Sequence, residues 1–196
     1  TFYSDQRKEY IKVNFPFRIR SINRKIDEND VRKSIALSEN LPDGAPVLRD
    51  SSGGFGENFG GCIIRTTDHL FDKHHFVLPL YALSGIDWKT QHPLLLHQLA
   101  KYTGKASQQV AEDTILKHIK AYGSLINQTG VVLDSHGQNT LLGYSKEGHL
   151  QQVYFRDLNN ARHLTEIQTT RQISEITQAV SATDDMFGYL IDFVLG

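Results

Sequence analysis

The chain has 196 residues, in which 21 lysines and arginines nearly balance 22 aspartates and glutamates. This balance lacks the concentrated basic face that nucleic-acid binding needs, and no apolar run is long enough to span a bilayer. The length suits one domain with a hydrophobic core, or one domain and the start of another. The single cysteine, Cys62, excludes an internal disulfide and fits a reducing compartment, so we expect a soluble, cytoplasmic protein.

Four cationic residues at the start of the chain are separated by even numbers of positions. Residues 9–23 alternate well enough for a strand, and alternate residues of a strand point to the same face. If that strand runs unbroken, one face carries Lys12, Arg18, Arg20 and Arg24. Such a row would attract phosphates and carboxylates, whereas the alternative interpretation is a solvated strand face.

A helix and three strands are predicted next. Asp27 to Asp30 offers helix caps ahead of a helix that ends near Leu41. The glycine-rich run 51–61 lacks the Gly-Lys-Ser/Thr ending of a phosphate loop, so we interpret it as a mobile loop between strands. Its two aromatic residues leave open a role as a lid over the site. The predicted strands cover residues 47–49, 61–66 and 76–81.

Two helices are predicted in the middle of the chain. They cover Leu94–Tyr102, which Gly104 closes, and Ser107–Asn127. An apolar stripe along the second helix predicts that it packs behind the strand that follows it. His118 on this helix is expected either to face solvent or to pack as a satisfied residue. The stripe consists of Ala111, Ile115, Ile119, Tyr122 and Ile126.

The most informative stretch places polar residues at the ends of short apolar strands. Gly148 marks the turn between the last two of these strands. A hairpin of those two strands would bring Asn139 back beside Arg156 and Asp157. The polar side chains at the strand ends are therefore expected to converge. The strands are predicted over residues 131–133, 140–144 and 153–155.

These polar side chains are of the types that hold a metal-bound nucleotide. Carboxylate and amide oxygens suit Mg²⁺, and an imidazole or guanidinium can donate to phosphate oxygens. The alternative interpretation is that they cap strand ends and stabilise a tight turn. The candidate oxygens belong to Asp134, Gln138, Asn139 and Asp157, and the candidate donors to His136 and Arg156.

Two blocks, Leu133 to Leu142 and Phe155 to Asp157, resemble the signature of a known enzyme family. The family comprises the siderophore synthetases that act independently of nonribosomal peptide synthetases (NIS synthetases), of the aerobactin-synthetase or IucA/IucC type. The segment from Tyr10 to Arg24 is similar to the family's lysine strand and the arginine that follows it. Residues 47–50, 61–65 and 77–80 fall in the family's order as well.

The resemblance implies an enzyme of siderophore biosynthesis and iron acquisition. Such a ligase uses ATP and Mg²⁺ to adenylate a carboxylate of citrate or a related acid, then passes the acyl group to an amine or hydroxyl acceptor. The implied fold is α+β, with a mixed, mainly antiparallel, palm-like sheet backed by helices and followed by helices of a truncated thumb. A homodimer is the family's usual assembly and is carried over as a possible one.

The resemblance also predicts how the chain is divided. Residues 1–165 would form the palm-like region that binds ATP and carboxylate, and residues 166–196 would begin the helical thumb, with helices over 166–180 and 184–195. The apolar segment from Met186 onward requires burial, against this domain or within a longer protein. The family comparison favours a longer protein, so we expect catalysis to be incomplete in this chain.

Roles for individual residues follow from the same resemblance. Arg24, at the substrate carboxylate, and His136, at the acyl phosphate, are the candidate catalytic residues. Asp134 stands where the family usually has Glu, and Arg20 where a small polar residue is common. Contacts to ATP or substrate fall to Lys12, Arg24, Gln138, Asn139 and Arg156, and contacts to magnesium fall to Asp134, Gln138, Asn139 and Asp157.

Two other functions remain as alternatives at this point. A His-Gly-x-Asn turn followed by a strand and an aspartate is also found in small-molecule kinases, which release ADP instead of AMP. The second alternative is a non-catalytic palm that binds a siderophore or its carboxylate precursor. The departures at Asp134 and Arg20 favour that binding function.

Overall fold

The computed structural model describes residues 2–4, 6–14, 18–19, 22–23, 25–57 and 60–181. These residues form an α+β fold with mainly antiparallel sheets, as predicted. The strands are β1 (Phe2–Ser4), β2 (Glu9–Val13), β3 (Arg18–Ile19), β4 (Ile22–Asn23), β5 (Asp50–Gly56), β6 (Gly60–Thr66), β7 (Phe76–Pro79), β8 (Val131–Val132), β9 (Thr140–Tyr144), β10 (Leu150–Phe155), β11 (Arg162–Leu164) and β12 (Gln178–Val180). The helices are α1 (Glu28–Asn40), α2 (Asp68–Lys73), α3 (Leu94–Thr103), α4 (Ser107–Thr129) and α5 (Arg171–Ile176), with 3₁₀ turns at Leu80–Ser84 and Leu158–Asn160.

The strands form three sheets and a small hairpin. The first sheet has the order β1-β2-β6-β5 and is antiparallel throughout. The second has the order β10-β9-β7, also antiparallel. The third has the order β12-β11-β8, in which the pair β11–β12 is parallel and the pair β11–β8 antiparallel. The small hairpin pairs β3 with β4.

Glycines let helix α1 lie directly on the first sheet. Asp27 caps the helix in a capping box with Asp30, as its sequence predicts. A Cβ atom on Gly53 of β5 would lie 2.6 Å from the carbonyl oxygen of Cys62 and 2.7 Å from Cγ1 of Val31 on α1. The prediction of a mobile loop over residues 51–61 is therefore wrong for the described part, because β5 and β6 form a hairpin that these glycines keep thin beneath the helix.

The main hydrophobic core lies between the second sheet and the helices. All five residues of β9 are buried, with Leu142 in the main core and Leu141 in a smaller cluster. Burial on both faces explains why this strand is a continuous apolar run in the sequence. The predicted hairpin of β9 and β10 is confirmed, and so are the helices α3 and α4, with Gly104 in the left-handed conformation at the end of α3.

The buried face of α4 differs from the predicted stripe. Ile115 and Ile119 are 38% and 42% exposed, so the predicted stripe is wrong at these positions. Polar residues also take part in the buried face, and the hydroxyl of Thr114 is satisfied there because it donates to the carbonyl of Val110. His118 packs edge-on against Phe155, which confirms the packing alternative for this residue. The buried residues of α4 are Val110, Thr114, His118, Tyr122, Leu125, Ile126 and Thr129.

The N-terminal cations do not follow a single strand. Arg18 pairs with Asn23 in the hairpin of β3 and β4, so the chain reverses between these residues. The prediction of one unbroken strand over residues 9–23 is therefore wrong, and a common face for Lys12 and Arg18 no longer follows from parity. Arg20 and Arg24 lie outside the described residues.

Several other predicted elements are shorter than expected. Residue 47 makes one parallel bridge to Phe155 in place of a strand, and the strand at residue 76 ends at Pro79. The helix predicted over 166–180 is confirmed only for α5, because β12 instead pairs with β11. The helix predicted over 184–195 lies outside the described residues, and the division at residue 165 stays a prediction. Within the described ranges, no helix has the length and apolar character needed to cross a membrane.

The close contact of α1 with the β5–β6 hairpin predicts that alanine substitutions at two neighbouring glycines have different effects on the free energy of unfolding. Gly53→Ala should lower the free energy of unfolding by about 1–3 kcal/mol, because its new methyl group meets backbone and Val31. Gly54→Ala is the matched control, since the nearest atom to its Cβ, Sγ of Cys62, is 3.9 Å away. Urea unfolding of both variants measures the difference, and equal stabilities would contradict the close contact.

Burial of His118 predicts how stability depends on pH. Burial lowers the pKa of His118 from 6.5 to about 4. Between these two pH values, His118 is therefore protonated in the unfolded chain and neutral in the folded chain. Stability should therefore fall as the pH decreases through this window, by up to about 3 kcal/mol from this residue.

His118→Gln should make the unfolding free energy less dependent on pH between 6.5 and 4. Urea unfolding at a series of pH values measures this dependence. The matched control is His97→Gln, because His97 is an exposed histidine on another helix, α3. Identical slopes for the two variants would show that His118 does not cause the effect.

Candidate functional site

A carboxylate after β10 meets a lysine of the first sheet. Asp157 directly precedes the 3₁₀ turn at Leu158–Asn160, and its Oδ1 atom lies 2.6 Å from Nζ of Lys12 on β2. The same Nζ also donates to Oδ1 of Asn159 at 3.1 Å. The side chains of Lys12 and Asp157 are 21% and 22% exposed. This pair is accessible to a ligand yet partly shielded from water, so its charges are screened less than those of surface pairs.

The backbone and the surrounding charges both make Asp157 unusual. Its φ of 81° lies in the left-handed region, which aspartate tolerates better than most residues. Burial raises the pKa of the Asp157 carboxyl, but the charges of Lys12, Arg65 and Arg156 lower it more, and the net pKa is below its ordinary value. Asp157 is therefore a fixed negative charge within a group of cations.

A buried ion pair lies behind this carboxylate. Nε of Arg65 donates to Oδ1 of Asp50 at 2.6 Å, and the side chains are 3% and 0% exposed. Nη2 of Arg65 lies 3.6 Å from Oδ1 of Asp157. The backbone N–H of Asp50 donates to the buried hydroxyl of Ser38, which ties this row of the sheet to α1.

Asp50 and Arg65 are not among the predicted site residues. A signal exists in the parity of β6, where Gly61, Ile63 and Arg65 are the buried positions. An arginine at a position reserved for buried side chains indicates a partnered charge, since an unpaired one is very costly. The partner, Asp50, follows only from the pairing of β5 with β6.

The predicted polar block forms one compact turn before β9. The amide nitrogen of the Asn139 side chain donates to the carbonyl of Asp134, and the backbone N–H of Asn139 donates to the carbonyl of His136. Nδ1 of His136 lies 3.2 Å from the backbone nitrogen of Gln138, and Nε2 lies 3.3 Å from the side-chain amide nitrogen of Asn139, so both ring nitrogens face N–H donors of the turn. Nε2 lies 3.6 Å from Oδ2 of Asp134. We call residues 134–139 the His136 turn.

Helix α4 supports the strand that leads into the His136 turn. The buried hydroxyl of Tyr122 donates to the carbonyl of Leu133 at 2.7 Å. Burial raises the pKa of Tyr122 to about 12, so this hydroxyl keeps its proton and remains a donor. The predicted support of this strand from behind is thereby confirmed.

Arg156 connects the His136 turn to the Asp157 carboxylate. Its backbone N–H donates to the carbonyl of Asn139, as the predicted hairpin requires, and its Nη2 donates to the carbonyl of Gln138 at 2.7 Å. Burial, and then the nearby charge of Arg65, lower the pKa of Arg156 below its ordinary value. Arg156 thus binds the His136 turn through its side chain and directly precedes Asp157 in the chain.

The structure gathers the predicted site residues into two adjoining groups. One is the His136 turn with Arg156, and the other is Asp157 with Lys12. Arg24 lies outside the described residues. A cavity of about 490 Å³ elsewhere in the fold is lined by residues such as Arg49, Lys73 and His74, and none of the predicted site residues lines it. The individual roles in binding and catalysis stay predictions.

The hydrogen bonds of the His136 turn predict different effects for two neighbouring amides. Asn139→Asp replaces a buried donor by a carboxylate facing the carbonyl of Asp134, so unfolding free energy should fall by about 1–3 kcal/mol. Gln138→Glu makes the same change at an exposed side chain and should stay within about 0.5 kcal/mol. Chemical denaturation at pH 7 compares them, and equal losses would contradict the assigned orientation of the Asn139 amide.

Solved structures of three siderophore-synthesis proteins share this fold. The petrobactin biosynthesis protein AsbB from Bacillus anthracis str. Sterne matches with a TM-score of 0.69 and 21% identity, over 88% of this chain and 32% of its own. The aerobactin synthetase IucC from a hypervirulent pathotype of Klebsiella pneumoniae matches with 0.72 and 16%, over 95% and 36%. ATP-bound IucA from the same pathotype matches with 0.69 and 16%, over 96% and 38%.

The likeness lies in structure more than in sequence. No protein-family model and no curated protein matches the sequence. The chain spans about a third of the length of the solved structures it resembles. The resemblance to NIS synthetases is confirmed at the level of the fold: this chain has the fold of part of an NIS synthetase.

Proposed function

We propose that this chain is the ATP-binding palm of an NIS-type siderophore synthetase. In this proposal residues 1–165 form the palm and residues 166–196 begin the thumb. The complete enzyme adenylates a carboxylate of citrate or a related acid and transfers the acyl group to an amine or hydroxyl. The observation that carries the proposal is the meeting of Lys12 and Asp157 beside the His136 turn, within a fold shared with an ATP-bound aerobactin synthetase.

The charges around Asp157 support an anionic ligand. Three cations, those of Lys12, Arg65 and Arg156, act on one carboxylate, and among the described residues only Arg65 has a second carboxylate partner, Asp50. Positive charge therefore exceeds negative charge in a place that is partly shielded from water. Such an excess favours the phosphates of a nucleotide and the carboxylates of citrate.

The oxygen donors present are compatible with magnesium bound together with a nucleotide. The amide orientation of Asn139 directs its nitrogen to the carbonyl of Asp134, which leaves its side-chain oxygen for another partner. Oδ1 of Asp157 is occupied by Lys12, whereas Oδ2 accepts no hydrogen bond from the described residues. Among those residues, no three His, Cys, Asp or Glu side chains form a metal site by themselves. Mg²⁺ commonly binds through one or two carboxylates plus substrate phosphates.

In the proposed site, Asp134, Gln138, Asn139 and Asp157 would hold Mg²⁺, which neutralises phosphate charge when bound. Arg24 holds the substrate carboxylate, whose oxygen attacks the α-phosphorus of ATP while pyrophosphate leaves. The imidazole of His136 stabilises the charge on the transferring group. The acceptor amine or hydroxyl then attacks the acyl carbon, loses its proton, and displaces AMP.

The products of ATP distinguish the candidate functions. The protein is incubated with magnesium, ATP, citrate and hydroxylamine as acceptor, both as this chain and within a longer protein that includes it. We expect citrate-dependent AMP, pyrophosphate and a hydroxamate, resolved by chromatography. ADP would indicate a phosphotransferase, and unchanged ATP across a panel of carboxylates in the longer protein would leave a binding palm.

Substitution of His136 tests the proposed role of the His136 turn. His136→Ala in the longer protein should reduce turnover by about 100-fold or more without unfolding it. His149→Ala is a matched control, because His149 is an exposed histidine in the turn between β9 and β10. Near-normal AMP formation by His136→Ala would refute the role of this imidazole.

A further inference from the structure

We propose that Arg65 is a positioning residue for Asp157, held from behind by Asp50. In this role it keeps the carboxylate in place when Lys12 moves from Asp157 to a bound nucleotide. The inference rests on the proposed function, because it assigns Arg65 to the same nucleotide site.

Register places Arg65 at the centre of a row across the first sheet. Arg65 on β6 pairs with Asp50 on β5 to one side and with Tyr10 on β2 to the other. Lys12, two residues after Tyr10, lies on the same face of β2. The sheet therefore presents Arg65 and Lys12 on the face that Asp157 approaches, and both reach the same carboxylate.

The hydrogen bonds of the buried pair are incomplete in a way that points toward Asp157. Nη2 of Arg65 and Oδ2 of Asp50 are both buried and make no hydrogen bond within the described residues. Nη2 lies 3.6 Å from Oδ1 of Asp157, an ion-pair distance that is too long for a good hydrogen bond. A shift of about 0.6 Å would form that hydrogen bond. The unsatisfied donor is therefore next to the acceptor that would satisfy it.

Stability alone gives a weak reason for such a pair. Burying two charges requires their removal from water, and an apolar pair of similar size is often at least as stable. A half-satisfied polar group in the interior is costlier still. Because the second guanidinium nitrogen faces Asp157, the pair makes sense as a support for that carboxylate.

Arg65 gives Lys12 freedom to change partners. Nζ of Lys12 and Nη2 of Arg65 share Oδ1 of Asp157, at 2.6 Å and 3.6 Å. If Lys12 turns to a phosphate, Arg65 can move closer to the oxygen that it leaves, so the partly buried carboxylate remains paired. Without Arg65, departure of Lys12 would leave that carboxylate short of one counter-charge, and nucleotide binding would be opposed.

The first measurement tests the contact without any ligand. Arg65→Gln, Asp157→Asn and the double variant are unfolded in urea. If the residues interact, the shift in the midpoint of the double variant is smaller than the sum of the single shifts. The matched control is Arg49→Gln, since the Arg49 side chain donates to the carbonyls of Ser38 and Leu41 instead of pairing with Asp157. The midpoint shifts of Arg49→Gln and Asp157→Asn should therefore sum in their double variant.

The second measurement tests the effect on nucleotide binding. Calorimetry gives the Kd of MgATP for folded variants of this chain. Arg65→Gln should raise the Kd by about tenfold, as expected for a partner that orients a ligand-binding side chain. Arg65→Lys keeps the charge but cannot bind both carboxylates in the fork geometry of arginine, so it should restore part of the affinity. Arg49→Gln should leave the Kd within about twofold while lowering the unfolding midpoint.

The outcomes separate this inference from the proposed function. Additive midpoints for Arg65→Gln and Asp157→Asn would overturn the inference whether or not the chain binds ATP. An unchanged Kd in both Arg65 variants would overturn it as well, because a purely structural arginine would behave in that way. Non-additive midpoints in a chain that fails to bind MgATP would support the contact and count against the proposed function. If Arg65→Gln does not fold, Arg65→Lys is used in both measurements.

Discussion

The carboxylate of Asp157 joins parts of the chain that are far apart in sequence. Its partner Lys12 precedes it by 145 residues and lies in the first sheet, while Asp157 itself follows the second. Arg156, its neighbour in the chain, holds the His136 turn. The arrangement of the whole site therefore depends on the docking of the first sheet against the segment after β10, where Lys12 contacts both Asp157 and Asn159.

The ion pairs of this protein differ in strength because they differ in how far they are shielded from water. Arg32 and Glu28 on α1 approach as closely as Lys12 and Asp157, at 2.6 Å, but are 76% and 55% exposed. Such surface pairs contribute little, because water screens them and long side chains lose entropy. Lys12 and Asp157 are about one-fifth exposed, and the pair behind them is almost fully buried. Electrostatic effects on a ligand are therefore concentrated at this place.

Local sequence signals predicted the elements that local contacts determine. The capping box at Asp27, the closing Gly104 and the hairpin around Gly148 all involve residues close in the chain. The same signals did not predict the features that depend on contacts between residues far apart in the chain. Whether glycines 53 and 61 form a loop or a strand depends on the approach of α1, and the role of Arg65 depends on strand pairing. The His136 turn was predictable as a cluster, whereas its connection to Lys12 needed the tertiary fold.

The contact of α1 with the thin hairpin has a mechanical consequence. Where a helix rests on glycine backbone, there are few side chains between the two that can change rotamer and absorb a displacement. The helix is also joined to the hairpin through Ser38 and Asp50, and to the segment after Asp157 through Lys33, which donates to the carbonyl of Ala161. A displacement of α1 would therefore move the hairpin and the segment after Asp157 together, with little absorbed by side chains in between.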